Sequence, residues 1–336
     1  MDRTTDRPPT PAERAALELL ERGNRFLLTG HMRPDGDCIG AQAALSRVLM
    51  AAGKQVSIWN PDPPESQFDY LAREVDYRAW KPGDQLPAHD VTVLLDCAEL
   101  SRCGELAPIL AGMDTAKLVV DHHVHVGEAW WDAAYVDVTA SATGLLVHRI
   151  ARALGVALDK TAAEGVFTSI VTDTGWFKYS NTDAETLRVA GELLETGMDA
   201  SLVYQAIYQR KSRKHPPEIG AILSTTQYFA DDRLALIHSP TTASVDGDDA
   251  LDILRAVKTV EVVLFVREQE GGTCKLSARS KSDLYDVSAL AREFGGGGHR
   301  RAAGATIEGN LASVSKRLIA AGEALISEAG RTGKVG

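Results

Sequence analysis

Several short aliphatic runs in this sequence stop on acidic or imidazole side chains, and they recur in a fixed order between helical stretches. "RFLLTG" runs into "HMRPDGD", "VTVLLDC" stops on Asp96, and "AKLVVDHH" stops on Asp121, His122 and His123. "AERAALELLERG", "GAQAALSRVLMAAG" and "ASATGLLVHRIARALG" have the apolar spacing of helices and close on glycine. Strands alternating with helices predict an α/β fold with a mostly parallel sheet. In open sheets of that kind ligands bind beyond the carboxyl ends of the strands. The polar residues that end these runs are therefore expected at one sheet edge.

A fourth group lies further on. In "TAAEGVFTSIVTDTGWF", Ala163, Val166, Phe167 and Ile170 fall at helical spacing, which puts Asp173 at a helix end. With His31, Asp35 and Asp37 from "HMRPDGD", Asp96, and the Asp121–His123 trio, this makes a carboxylate and imidazole constellation. Carboxylates gathered in one place repel, and burying them unpaired is costly. Divalent cations resolve both problems. Oxygen and imidazole donors without thiolate partners suit Mn²⁺, Mg²⁺ or Fe²⁺ better than structural zinc. Asp35, Asp37, Asp96 and Asp173 carry four negative charges, which two divalent ions would balance. An extended loop would aim Asp35 and Asp37 at two metals, and Gly36 between them would allow unusual backbone angles. Adjacent strand residues face opposite ways, so a strand ending at Val120 would free His122 and His123 for separate roles.

The chain is long enough for two ordinary domains: 336 residues, 44% hydrophobic and 24% charged. Its formal net charge of −10 argues against a broad basic surface for long duplex nucleic acid. Four cysteines without zinc-ribbon spacing, a polar Pro-rich start and the lack of an ~18-residue apolar run predict a reducing, cytoplasmic location with no membrane span. "RKSRKHPPEIG" is the expected linker at 209–219, because it is basic and its Pro-Pro pair discourages helix. It separates a first domain at 1–208 from a smaller α/β domain at 220–332. Its cations either grip a polyanion or remain solvated. In the second part "RLALIHS", "VEVVLFVREQ" and "TCKLSARS" read as strands, the last two joined as a hairpin through "EGG". "DVSALAREF" reads as a short helix capped by Asp286 or Ser288, followed by "GGGGHRRAAG". Cys38 and Cys97 read as small buried apolar residues. Trp176, Phe177 and Tyr179 would either pack a wall or stack on a base.

Taken together, these segments resemble the DHH phosphoesterase family. "HMRPDGDCIG", "LLDCAE", "VVDHH" and "TDTGWFKYSNT" are similar to its four ordered motifs, and "GGGGHRRAAG" to the hallmark of the DHH-associated C-terminal domain. The resemblance spans roughly 20–330. It implies a bilobed molecule with the active site in the cleft. Length disfavours the exonucleases that carry further domains, and the Gly-rich hallmark disfavours inorganic pyrophosphatases. The short two-domain group, nano-RNases that also dephosphorylate 3′-phosphoadenosine 5′-phosphate (pAp), remains, with cyclic di-AMP/pApA phosphodiesterases as the alternative.

The resemblance further implies that His31, Asp35 and Asp96 ligate one metal, with Mn²⁺ the expected ion, and that Asp37, Asp96, His122 and Asp173 ligate a second. Asp96 would bridge, Asp121 would orient the histidines, and His123 would face the phosphate. Two metals sharing a hydroxide would drive in-line attack on phosphorus. His123 would either stabilise phosphoryl charge or protonate the leaving oxygen. Arg279, Gly296, Gly297, Gly298 and His299 would bind the substrate, the glycine backbone N–H groups approaching an anion closely. Arg300 and Arg301 could extend that basic patch. Short RNA oligonucleotides or small nucleotides are the expected partners, and family analogy suggests a homodimer.

Overall fold

The computed structural model describes residues 8–125, 127–239 and 247–332. The first seven residues of the polar start and 240–246 lie outside the described residues. The chain divides into two compact units, Met1–Arg210 and Lys211–Gly336.

The first unit is built on six strands: β1 (Arg25–Thr29), β2 (Gln55–Asn60), β3 (Tyr77–Ala79), β4 (Val91–Leu95), β5 (Ala116–Asp121) and β6 (Ala133–Val136). All pair in parallel, in the order β3-β2-β1-β4-β5-β6. Its helices are α1 (Pro11–Arg22), α2 (Gly36–Ala51), α3 (Asp69–Ala72), α4 (Ala107–Gly112), α5 (Thr143–Ala153), α6 (Lys160–Asp173), α7 (Ala184–Glu195) and α8 (Ala200–Tyr208). Central strands are buried on both faces, which is why β4 is almost wholly apolar, with Thr92 its one polar side chain, and buried along its whole length. The order reverses direction between β1 and β4, and such a switch point leaves a crevice beyond the strand ends.

Helix α2 starts earlier than its apolar pattern suggests. Asp35 is its N-cap, accepting the N–H groups of Asp37 and Cys38. Asp37 therefore lies in the first helical turn and not on an extended loop. Gly36 is needed for space, not for unusual angles. A Cβ there would lie 2.3 Å from the Thr172 side chain, which is itself held by hydrogen bonds to the carbonyls of Thr168 and Ser169. One turn on, Gly40 and Gly165 let α2 and α6 touch backbone to backbone. A Cβ on Gly40 would meet the Gly165 carbonyl at 2.4 Å, and one on Gly165 would meet the Gly40 carbonyl at 2.6 Å. This crossing brings the start of α2 to the end of α6, and so Asp37 to Asp173.

The second unit holds α9 (His215–Leu223), α10 (Asp248–Arg255), α11 (Val287–Glu293) and α12 (Leu311–Thr332). Its strands are β7 (Gln227–Phe229), β8 (Leu234–Ser239), β9 (Val262–Gln269), β10 (Thr273–Ser280), β11 (Gly297–His299) and β12 (Ala302–Glu308), ordered β11-β12-β10-β9-β8-β7. Only β8 and β9 pair in parallel. The expected hairpin of β9 and β10 is present, and Asp286, not Ser288, caps α11. The Pro216–Pro217 pair does not discourage helix. It sits in the first turn of α9, where backbone N–H groups have no intrahelical partner to lose. The basic segment is partly paired, Arg210 with Asp69 (3.7 Å) and Lys211 and His215 with Asp249 (3.3 and 2.6 Å).

Gly40→Ala should lower stability by about 1–3 kcal/mol through overpacking of α2 on α6, read as a drop in Tm. A melting curve superimposable on wild type would contradict the backbone contact.

Candidate metal centre

Three strand ends and two helix ends deliver the polar residues. His31 follows β1, Asp96 follows β4, and Asp121 is the last residue of β5, one beyond the expected strand end at Val120. Asp37 comes from the start of α2 and Asp173 from the end of α6. His31, Asp37 and Asp96 are all buried, each at most 4% exposed. Asp96 adopts φ 62°, a left-handed conformation rare for a residue with a side chain, and its N–H donates to the Val120 carbonyl (3.0 Å). Such strain persists where surrounding contacts enforce it.

The histidine tautomers follow from their partners. His31 Nδ1 lies 2.8 Å from the Met32 carbonyl and His122 Nδ1 lies 3.0 Å from the Ala140 carbonyl. A carbonyl only accepts, so each Nδ1 carries the proton and donates it. The neutral rings then turn the Nε2 lone pairs to carboxylates. His31 Nε2 is 3.4 Å from Asp96 Oδ2. His122 Nε2 is 3.3 Å from Asp37 Oδ2 and 3.8 Å from oxygens of both Asp96 and Asp173. It is buried and has no hydrogen-bond partner. A lone pair facing three carboxylates needs a cation between them. A proton serves this purpose on protein charges alone: burial opposes it, but Asp37 and Asp173 lift His122 to about 9. A divalent ion serves it better, because it balances the carboxylates too.

The carboxylates carry the same message. Burial pushes the Asp96 carboxyl well above its usual range, and repulsion from Asp37 and Asp35 adds to this. Asp173 rises to about 7 through burial and the Asp37 charge. Burial also opposes the Asp37 anion, yet His122, Ser169 and Thr143 hold it at about 2. Asp37 accepts the Thr143 N–H (2.9 Å), the Gly144 N–H (3.3 Å) and the Ser169 hydroxyl. It thus caps α5 from another helix, where the helix dipole favours an anion.

Donor atoms of Asp37, His122 and Asp173 lie within 4.8 Å of one another, as do those of Asp96, His122 and His123, and of His31, Cys38 and Asp96. Asp35 is not in these groups, and one of its oxygens is engaged by the α2 cap. The Cys38 thiol is pushed well up by burial and by Asp96 and Asp35. It stays a protonated, buried apolar residue. Cys97 is likewise buried. His123 differs from His122. Its Nδ1–H donates to Asp121 Oδ1 (2.8 Å), whose carboxylate also accepts the His123 backbone N–H (3.1 Å). Its side chain is 41% exposed, so Nε2 is left for a ligand.

Supporting residues were not legible in advance. Ser169 and Thr143 bond Asp37 and Asp96. Asn181 donates to Asp173 Oδ2 (3.2 Å) and to the Ser141 carbonyl (3.1 Å). Trp176 packs against Phe167, Tyr204 and Tyr208, with ring centres 4.9–5.8 Å apart, so it is part of the wall. His125 lies 3.4 Å from Glu99 and edge-on to Trp131.

In the second unit, Arg279 of β10 and Gly296, Gly297 and Gly298 line one cavity of about 540 Å³. The N–H groups of Gly295 and Gly296 are engaged by α11 carbonyls, and Gly297–His299 pairs with β12. The glycines therefore form a tight hairpin and not an open run of donors. Gly298, at φ 139°, and Gly296 allow contact with the β12 backbone, where a Cβ would come within 2.1–2.6 Å of carbonyl oxygens. His299 is exposed on β11. Arg301 pairs with Asp283 (2.9 Å) and Arg300 donates to the Asp283 carbonyl.

The fold and the carboxylate–imidazole cluster are those of a phosphoesterase of the DHH class, as the comparisons with known proteins show. The N-terminal domain of the DHH family matches residues 25–170 and the DHHA1 domain matches 243–328. The chain belongs to the DHH family. It is 34% identical to a bifunctional oligoribonuclease and PAP phosphatase of Thermus thermophilus, over 94% of this chain and 95% of that protein. The Bacillus subtilis protein of the same name is 26% identical over 84% and 89% of the two chains. An exopolyphosphatase-related protein from Bacteroides fragilis has the same fold at TM-score 0.85 and 26% identity, over 94% and 98%. The Thermus thermophilus exonuclease RecJ, crystallised with Mn²⁺, shares the fold at TM-score 0.54 and 17% identity, over 97% of this chain and 56% of RecJ.

Ser169→Ala and Asn181→Ala should each weaken Mn²⁺ binding roughly 10- to 100-fold in calorimetric titration, because they release carboxylates that they now hold. Unchanged affinity in both would mean that these side chains serve folding alone.

Proposed function

We propose that this protein is a metal-dependent phosphoesterase that hydrolyses short oligoribonucleotides to mononucleotides and removes the 3′-phosphate of pAp. One observation carries the reading. The Nε2 atoms of His31 and His122 face the carboxylates of Asp37, Asp96 and Asp173, in a chain similar over 94% and 84% of its length to two proteins named as oligoribonucleases.

His31, Asp35 and Asp96 would hold one divalent ion, and Asp37, Asp96, His122 and Asp173 a second, with Mn²⁺ preferred for this oxygen and imidazole set. Bound there, the ions supply Lewis acidity toward phosphoryl oxygens and lower the pKa of an attacking water. The remaining work falls to protein groups. Asp121 fixes the His123 ring through Nδ1–H, so Nε2 can meet the phosphate or give a proton to the leaving oxygen. Ser169 and the start of α5 keep Asp37 ionised. Arg279 and the groove beside Gly296, Gly297 and Gly298 take a further phosphate or base, with His299 at the hairpin edge. The four free buried cysteines fit a reducing cytoplasm.

Incubation with Mn²⁺ and a panel of dinucleotide, five-mer RNA, pAp, cyclic di-AMP and pyrophosphate tests this. Mononucleotides from the RNAs and phosphate from pAp are expected, and Asp96→Ala should reduce both to background. Preferential cleavage of cyclic di-AMP would move the protein to the related cyclic dinucleotide phosphodiesterases. Binding without turnover would remove the enzyme reading. Arg279→Ala should raise KM with little change in kcat, and an unchanged KM would take Arg279 out of the site.

A further inference from the structure

The first unit has a concavity at the same sheet edge as the candidate metal centre. It is a slot of about 170 Å³ whose lining includes Met32, Pro61, Asp62, Trp80, Pro82 and Glu105. Each strand on that side of the switch point contributes. Met32 is the residue after His31 beyond β1, Pro61 and Asp62 follow β2, and Trp80 and Pro82 follow β3.

The slot is held in shape by specific contacts. The Met32 N–H donates to the Arg102 carbonyl (2.8 Å), and the Arg33 N–H to Asp62 Oδ2 (2.7 Å), with Arg33 itself at φ 52°. Gly104, at φ 57°, leaves room for the thioether: a Cβ there would lie 2.6 Å from Met32 Sδ. The Trp80 indole N–H donates to the Asp84 carbonyl (3.3 Å), which fixes the half-buried ring, and the part of it that is not packed on the core lines the slot. Met32 is 45% exposed, an apolar side chain in water directly beside a proposed metal ligand.

The chemistry of this lining selects its occupant. An indole, a thioether and two proline rings suit a flat aromatic group. Asp62 and Glu105 put negative charge at the rim and the lining contains no cation, so a phosphate is repelled. The same carboxylates accept hydrogen bonds from exocyclic amino groups. We propose that this slot is a nucleobase subsite of the catalytic unit. It takes the base of the nucleotide whose phosphate sits at the metal centre, and it favours amino-bearing bases over uracil. The proposal deepens the phosphoesterase reading and rests on it for the identity of the substrate.

The test compares wild type, Trp80→Ala, Trp80→Phe and Glu105→Ala with Mn²⁺. Loss of a stacked base by alanine substitution typically costs roughly 5- to 100-fold in affinity. Trp80→Ala should therefore raise KM for pApA by about that factor, while KM for ribose 3,5-bisphosphate, which has no aromatic ring to stack, moves far less. Trp80→Phe should restore most of the loss. Glu105 is exposed, so its variant should fold normally, and it should narrow the wild-type preference for pApA over pUpU. Adenosine binding by calorimetry is read in parallel. If wild type hydrolyses none of these esters, the phosphoesterase reading fails, yet adenosine binding weakened in Trp80→Ala still supports the slot. KM values for pApA within twofold of wild type in both Trp80→Ala and Glu105→Ala would overturn it, as would adenosine affinity indifferent to both changes.

Discussion

Buried negative charge at one end of a parallel sheet is the constraint around which the first unit is organised. Asp37 and Asp96 are each 2% exposed, and Asp173 lies beside them. Such a cluster is stable only if the fold supplies compensation. The chain supplies part of it through the N-terminus of α5 and the Ser169 and Thr143 hydroxyls. The rest falls to protons on these groups or to the divalent ions proposed above, which would meet the Nε2 atoms of His31 and His122.

Packing that has no chemistry of its own sets this geometry. The strand order places the ends of β1 and β4 side by side, which puts His31 next to Asp96. The Gly40–Gly165 crossing then draws α6 against α2. A larger residue at either position would part the helices and separate Asp37 from Asp173 and Ser169. Local strain at Asp96 belongs to the same scheme, since its left-handed backbone turns the chain at the strand end.

Most of this was readable from the sequence because parallel strands are written as aliphatic runs and their functional residues come immediately after. Asp96, Asp121, His122 and His123 stood out for that reason. β3 and β6 have three and four residues, and β11 is Gly-Gly-His, so neither length nor alternation announced them. Gly36 suggested freedom of angle, whereas its role is contact with Thr172 across a tertiary interface. Pro216 and Pro217 suggested a break, although first-turn prolines are compatible with helix. Ser169 and Asn181 were silent because a serine inside a helix and an asparagine in a loop are ordinary until the fold brings a carboxylate to them.

The adjacent histidines show how one strand end can yield two different imidazoles. Strand geometry runs through Asp121 and then stops, so alternation no longer governs the two histidines after it. His122 donates its Nδ1–H to the Ala140 carbonyl, an uncharged acceptor, and turns Nε2 to the carboxylates of Asp37, Asp96 and Asp173. His123 donates its Nδ1–H to the Asp121 carboxylate, which fixes the ring and leaves Nε2 on the exposed side. The acceptor at Nδ1 thus differs between the histidine proposed to face a metal and the one proposed to face the substrate. Asp121, directly before the pair, accepts both the ring Nδ1–H and the backbone N–H of His123, and so holds in one orientation the more exposed of the two rings.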